Sequence, residues 1–366
     1  MYEYDKRVVL TLDAGGTNFV FSAIQGNNEM ISPIGLPAVS DNLDECLEVL
    51  VKGFDRVIAA IPVPPVAISF AFPGPADYEN GIIGDLPNFP SFRGGVALGP
   101  FLKHKYGIPV FIENDGNLFA YGEALSGALP MINRELSLAG CSREYKNLIG
   151  ITLGTGFGAG VVINKVLLTG DNGCGGDIWL MRNKKYPDML AEESVSIRAV
   201  RRVYSDLSGQ SSASLSPKDI YDIAEGIKEG DSHAAIASFN ELGIMAGAAI
   251  ASVLNVVDGL VVIGGGVAGA SKYILPALIT ELRAQMTTFS RNKFPCVSMQ
   301  VYNGEDESER ARFLSLSDSQ VVIPGTHLTT TYHQLKQTLV LCSKEGASRS
   351  IMRGAYAYAL QKIDLT

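Results

Sequence analysis

Four short runs carry the residues best suited to chemistry, each at the end of a strand-like segment. Asp13-Ala14-Gly15-Gly16-Thr17 sets a carboxylate ahead of two glycines. Without a Cβ, such a turn lets backbone N–H groups approach an anion closely. Thr17 adds a hydroxyl, and Asp13 suits a hydrated Mg²⁺ facing phosphates. A plain glycine turn in a hairpin would read the same way. A second run, Gly154-Thr155-Gly156, favours the phosphate reading, because two such turns can clasp a triphosphate from both sides. Residues 154–160 are not a dinucleotide fingerprint, since a strand-like segment follows where that motif needs a helix, and the chain has no G-x-x-x-x-G-K-[ST] loop.

The third run, Gly264-Gly265-Gly266, lies between a buried strand-like segment and a helix. Missing side chains there leave room for a flat base or ribose; tight strand–helix packing would ask for the same residues. Glu113-Asn114-Asp115 is the sharpest catalytic candidate, three polar residues at a strand's C-terminal end, where open α/β sheets bind ligands. Asp115 can accept the proton of an attacking hydroxyl while Asn114 orients a hydroxyl through its amide. Helix capping by Asn114 or Asp115 is the competing explanation, though it needs only one of the three residues.

The elements that must position these runs follow from periodicity. Strands are expected at 8–12, 19–24, 66–71, 110–112, 148–153, 161–163 and 260–263, with helices at 43–60, 96–106, 118–127, 191–204, 217–230, 234–257, 273–286 and 345–363. Alternation of this kind indicates an α/β architecture with mixed sheets. A shift of 141 residues lays Thr11-Leu12-Asp13-Ala14-Gly15 on Thr152-Leu153-Gly154-Thr155-Gly156, a weak internal repeat that suggests two similar lobes. Residues 130–146 and 287–339 are expected to be insertions.

Composition narrows the partners. The 366 residues are 46% hydrophobic and 19% charged, as expected of globular domains, roughly two of them. A net charge of −8, with no local basic block, argues against nucleic acid. The longest apolar run, 242–254, is about 13 residues against the about 20 that span a bilayer, and no signal peptide is visible. Five scattered cysteines without a C-x-x-C pair suit a reducing compartment, and a cytoplasmic protein is expected. The four histidines share no ligand spacing.

Taken in order, the motifs resemble those of the ROK (repressor, open reading frame, kinase) family, sugar kinases of the actin-like ATPase superfamily. Asp13-Ala14-Gly15-Gly16-Thr17-Asn18 is similar to its first phosphate motif, and Gly154-Thr155-Gly156 to its second. Phe72-Pro73-Gly74-Pro75 with Leu86-Pro87-Asn88 resembles the sugar-side loops. Glu113-Asn114-Asp115-Gly116-Asn117 with Gly122-Glu123 resembles the E-N-D-x-N…G-E signature, and Val262-Ile263-Gly264-Gly265-Gly266 the adenosine motif. The resemblance implies a two-lobed, ribonuclease H-like α/β fold with ATP and sugar in the interlobe cleft. One lobe would be 1–113 joined by the helix 346–366; the other would be 114–345, with the insertion at 287–339. Asp115 would be the general base, and Gly74, Asn88 and Asn114 would contact the sugar. Asp13, Gly15, Gly16, Thr17, Asn18, Gly154, Thr155, Gly156, Gly264, Gly265 and Gly266 would serve ATP, with Asp13 near Mg²⁺. Family members are commonly dimers, so a glucokinase-like homodimer is implied.

The departures bear on specificity. Where the family has G-E-x-G-H, this chain has Gly176-Asp177-Ile178-Trp179-Leu180, so Asp177 keeps a carboxylate and Leu180 replaces the histidine. The cysteines of the family zinc knuckle are missing from 182–190, and no zinc site is expected. Glu192 matches the sugar-contacting glutamate that ends the knuckle. Trp179, the single tryptophan, could stack on a pyranose or fill space left by the lost histidine. A catalytically weak sugar-binding or sensing protein on the same fold is therefore the alternative to a kinase. The family's transcription-factor branch is disfavoured, since the 12 residues before Asp13 cannot hold a helix-turn-helix.

Overall fold

The computed structural model describes residues 1–14, 18–86, 89–315 and 319–365. The chain divides into two compact units, Met1–Gly127 with Gly160–Gly176 and Glu345–Thr366, and Ala128–Ala159 with Asp177–Lys344. In chain order the elements begin with β1 (Val9–Ala14), β2 (Asn18–Gln25), β3 (Asn28–Glu29), β4 (Ile34–Pro37), α1 (Leu43–Ala60) and β5 (Ala67–Ala71). They continue with β6 (Ala76–Asp77), β7 (Ile82–Ile83), α2 (Leu98–Tyr106), β8 (Val110–Glu113), α3 (Asp115–Leu125) and α4 (Ala128–Leu138). Next come β9 (Leu148–Leu153), β10 (Phe157–Ile163), β11 (Val166–Leu167), α5 (Ile197–Ser208), α6 (Pro217–Ala224) and α7 (Ser232–Val257). After β12 (Leu260–Gly264) and α8 (Ser271–Leu282) follow β13 (Gln285–Thr287), β14 (Lys293–Pro295), β15 (Gln300–Asn303) and α9 (Glu307–Leu314). Strands β16 (Ser319–Val322), β17 (Thr329–Tyr332) and β18 (Gln337–Cys342) precede the last helix, α10 (Ala347–Asp364).

In the first unit the strands order as β3-β2-β1-β5-β8, with β4 also on β2. β1, β5 and β8 are parallel, joined through α1 and α2, whereas β2 returns antiparallel from the glycine run. The register aligns Asp13 with Ala71 and Ala71 with Glu113. Strands lie about 4.8 Å apart, so the Asp13 and Glu113 backbones sit about 10 Å from each other on one sheet edge. Helix α1 starts at Asn42, whose side chain accepts the Glu45 N–H (3.3 Å), and turns Cys46, Leu50, Phe54 and Val57 inward at three- and four-residue spacing. These meet Phe19, Phe21, Phe70 and Phe72 in one core, while Tyr356, Ala359 and Leu360 of α10 cover Val9, Ile24 and Ala67.

Helix α3 was expected to open the second lobe, yet it falls in the first unit because it packs along α10. The approach is backbone to backbone. A Cβ on Gly122 would overlap the Ser350 carbonyl, and one on Gly354 the Leu118 carbonyl. The buried Glu123 carboxylate accepts from Ser350 Oγ (2.6 Å) at the same crossing.

In the second unit β9, β12, β18 and β15 lie side by side in that order, all parallel. This corrects the insertion reading of 287–339, because β15 and the first residues of β18 belong to that sheet. The hairpins β13–β14 and β16–β17 are the exposed parts of the segment. Residues 130–146 are likewise packed. Leu129, Ile132 and Leu136 of α4 are buried, and the Asn133 side chain both donates to and accepts from the Tyr145 backbone (2.8 Å each).

Several helix ends move from their expected places for local reasons. Residues 191–193 form a single 3₁₀ turn, and α5 starts only after Ser196, whose Oγ accepts from the Ala199 N–H. α6 stops at Ala224, before the left-handed Gly226. By length and composition α7 could span a membrane, but 61% of its apolar stretch is buried, against α8, α5 and α6.

Added volume at the α3–α10 crossing should be costly. Gly354→Ala is expected to lower stability by about 1–3 kcal/mol, the usual effect of overpacking, read by urea unfolding, whereas Gly346→Ala tests only left-handed strain.

Candidate active site

The residues singled out by sequence fall into two groups, one in each unit. The first unit holds Asp13, Asn18, Gly74, Asn114 and Asp115; the second holds Gly154, Thr155, Gly156, Asp177, Glu192 and Gly264–Gly266. Gly15, Gly16, Thr17 and Asn88 lie outside the described residues.

In the first group β8 delivers Glu113 to the sheet edge and α3 begins two residues later. Glu113 is buried at 3% exposure. Its Oε1 accepts from the Asn114 N–H (2.8 Å) and from Asn117 Nδ2 (3.1 Å). Desolvation raises its pKa against these hydrogen bonds and one from Tyr358. Asn114 caps α3, its Oδ1 accepting from the N–H groups of Gly116 (2.8 Å) and Asn117 (3.4 Å). Capping thus occupies the amide oxygen and leaves the Nδ2 hydrogens without a partner among the described residues.

Asp115 is the first residue of α3, and its Oδ1 accepts from the Gly116 N–H (2.9 Å). The carboxyl is crowded by protein atoms while staying open to water, so a ligand can reach it. Desolvation is the largest influence and pushes its pKa up; backbone N–H donors oppose this and the charge of Asp13 adds to it. Asp13, half-buried at the end of β1, has no hydrogen bond or ion pair among the described residues. Two carboxylates that feel each other, with no cationic partner among the described residues, suit a divalent ion. No group of three metal-ligating side chains occurs among the described residues, so such an ion would rely on Asp13, water and phosphate oxygens.

Asn18 opens β2 at the surface. Gly74, also exposed, follows β5 beside the Tyr78 hydroxyl, which donates to the Phe72 carbonyl (3.0 Å). The neighbouring loop is anchored by Phe72, Phe89 and Phe92, which meet in tilted and edge-to-face contacts with ring centroids 5.5–5.8 Å apart, and by Arg93, which donates to the Leu86 and Phe92 carbonyls.

In the second group, Gly154-Thr155-Gly156 turns from β9 into β10, the Gly154 N–H donating to the Gly156 carbonyl (3.1 Å). Thr155 is exposed. Glu192 lies against this turn, its Oε2 accepting from the Phe157 N–H (3.0 Å). Gly264 ends β12 opposite Thr152 of β9. Gly265 has φ 91° and no room for a Cβ beside the Leu153 backbone, so packing alone explains it; Gly266 faces open space. Asp177 is exposed and accepts from the Trp179 indole N–H (3.1 Å), which holds the half-buried ring, and Leu180 is exposed beside it.

Two residues escaped the sequence reading as parts of the site. Glu113 was visible in its motif, but its role as the buried joint between β8 and α3 depends on contacts with Asn117 and Tyr358. Arg198, paired with Glu192 (3.3 Å) and Glu193 (3.1 Å), had no signal at all. The cap at Asn114 generates a stability test. Asn114→Ala should cost about 1 kcal/mol, while Asn114→Ser, which keeps an acceptor for the α3 N–H groups, should cost clearly less in the same urea titration.

Comparison with known proteins places these features. The model described as ROK family matches residues 9–308. A glucokinase of Thermotoga maritima is 26% identical over 290 residues, 75% of this chain and 86% of that relative. An N-acetyl-D-glucosamine kinase of Vibrio cholerae is 29% identical over 170 residues, 46% of this chain and 51% of that relative. The crystal structure of a glucokinase from Parabacteroides distasonis superposes with a TM-score of 0.89 at 58% identity, covering 99% of both chains. With its phosphate, sugar-side and E-N-D motifs in family order, the chain belongs to the ROK family.

Proposed function

We propose that this chain transfers the γ-phosphoryl group of ATP to a hydroxyl of a hexose or N-acylhexosamine, with Asp115 as general base. The carrying observation is the accessible Asp115 carboxyl at the start of α3, with raised proton affinity, next to an Asn114 amide that still has hydrogens to donate. The glucokinase and N-acetylglucosamine kinase relatives support the reaction class and both sugar types.

Asn114 Nδ2 donates to a sugar hydroxyl and orients it. Asp115 takes the proton of the attacking hydroxyl as the new O–P bond forms and the bond from the γ-phosphorus to the bridging oxygen of departing ADP breaks, and the α3 N–H groups steady its charge before that. Gly74, Asn88 and Asp177 complete the sugar side. Gly15, Gly16, Thr17, Asn18, Gly154, Thr155 and Gly156 present backbone and hydroxyl donors to phosphates, and Gly264–Gly266 take the adenosine. Asp13 would hold Mg²⁺ through water, which supplies charge neutralisation at the phosphates. Positioning and charge stabilisation carry most of the rate, and the base adds to them.

The test is ADP release that requires both Mg²⁺ and one sugar of a wide panel. Asp115→Ala should lower kcat by about 10²–10⁴-fold with sugar binding retained. Sugar binding without any transfer by the wild type would establish the sensing alternative, which the Leu180 substitution motivates.

The pH profile follows from the direction of the Asp115 shift. A base works only when deprotonated, and a raised pKa keeps Asp115 protonated to higher pH than a free aspartate. The acidic limb of kcat/KM should therefore lie above 3.8, and Asp115→Ala should remove that limb from the residual rate.

A further inference from the structure

Where the family resemblance expects a zinc knuckle, residues 182–194 fold around one amide. No Cys or His occurs from Gly175 to Ser232, and no group of three metal-ligating side chains occurs among the described residues, so this segment does not fit a zinc ion. Asn183 is only 2% exposed, and every hydrogen-bonding position of its side chain is taken. Its Oδ1 accepts from the N–H groups of Lys185 and Tyr186 (3.0 Å each), while Nδ2 donates to the Leu190 carbonyl (3.1 Å) and to Ser194 Oγ (2.8 Å). The Asn183 N–H donates to the Met189 carbonyl (3.1 Å), and the Ala191 N–H to the Met181 carbonyl (2.7 Å). One side chain therefore joins the start of the segment to its end, and the 3₁₀ turn Ala191–Glu193 that carries Glu192 lies inside the span. On the surface Lys184 pairs with Glu281 of α8 (2.6 Å) and Lys185 with Glu241 of α7 (2.7 Å), each lysine about half exposed. Exposed pairs of this kind contribute little, whereas a buried amide is costly to leave unpaired. The tie is the amide.

We propose that Asn183 takes the place of the missing zinc ion, as a positioning residue that fixes the turn 191–193, and with it Glu192, without a metal. Glu192 in turn reaches the Phe157 N–H (3.0 Å), so the placement of its carboxylate can be followed at an amide remote from Asn183 in sequence. That Glu192 also meets a sugar rests on the kinase reading above.

Hydrogen exchange on the full chain, read by mass spectrometry, tests this without any ligand. Asn183→Asp keeps the acceptor for Lys185 and Tyr186 but loses both Nδ2 donors, so it spares the local turn and cuts the tie to 190–194. Exchange should speed up about tenfold at Phe157 and across 190–195, with α7 and α8 exchanging as in the wild type. Ser194→Ala removes one of the two acceptors and should move the same amides less; it decides alone if Asn183→Asp does not fold. Should Asn183 serve only its local turn, Asn183→Asp leaves both regions unchanged and the proposal falls. Elemental analysis should find no zinc held by the chain, and phenanthroline should leave exchange of 182–194 unaltered; bound zinc, or faster exchange with the chelator, would overturn the proposal. In turnover, Asn183→Asp should raise about tenfold the KM of whichever of glucose and N-acetylglucosamine the wild type phosphorylates. An unchanged sugar KM beside faster exchange would overturn the positioning role. The exchange and zinc arms need no turnover, so absence of phosphorylation by the wild type would count against the kinase reading alone.

Discussion

How closely α3 and α10 approach is the constraint on which the first unit's chemical edge depends. Gly122 and Gly354 each face a carbonyl of the opposite helix, so the two backbones meet without side chains between them. Contact at that distance fixes the line of α3 far better than packed long side chains, which can exchange rotamers. Since Asp115 is the first residue of α3, its carboxyl inherits that precision. At the other end Glu113 performs the matching task. Its buried carboxyl binds the Asn114 N–H and the Asn117 amide, so the joint between strand and helix has little freedom to open. Breaking such a network would strand buried polar groups, which is what makes it stiff.

Electrostatics sets the second condition. Asp13, Asp115 and Glu192 are all carboxylates, an awkward choice for a protein that must hold phosphates. Each is handled differently. Asp115 is crowded enough that its proton is held more firmly. Asp13 has no hydrogen bond or ion pair among the described residues. Glu192 is tethered to a backbone N–H and to Arg198.

Much of this was legible in sequence, and the exceptions have physical causes. Helix α1 has the same bounds as the expected 43–60, because Asn42 supplies a cap and Pro62 a stop. Strands β5, β8, β9 and β12 were visible as β-branched or apolar runs ending in glycine or polar residues. The fold class and family followed from the order of motifs rather than from any one of them. What stayed hidden was non-local. β15 and β18 are separated by a helix and an exposed hairpin, and nothing within either strand announces that they pair. Helix α3 starts three residues before the expected 118, with Asn114, one of the two capping candidates in the sequence, as its cap. The contact of Glu192 with the glycine turn was hidden for the same reason as β15, since the Phe157 N–H it accepts lies 35 residues upstream in sequence.

The glycines permit one further step. A glycine is explained by packing when a Cβ would collide or when φ lies in the left-handed region; otherwise the surrounding chain leaves room for a side chain. Gly156 is explained, because the Glu192 carboxylate fills its place, and Gly265 is explained by its φ and by the Leu153 backbone. Gly154 and Gly266 are not. A Cβ on either meets nothing within 4 Å, and neither has a positive φ. In each run, then, one glycine shapes the turn and another leaves open surface beside it.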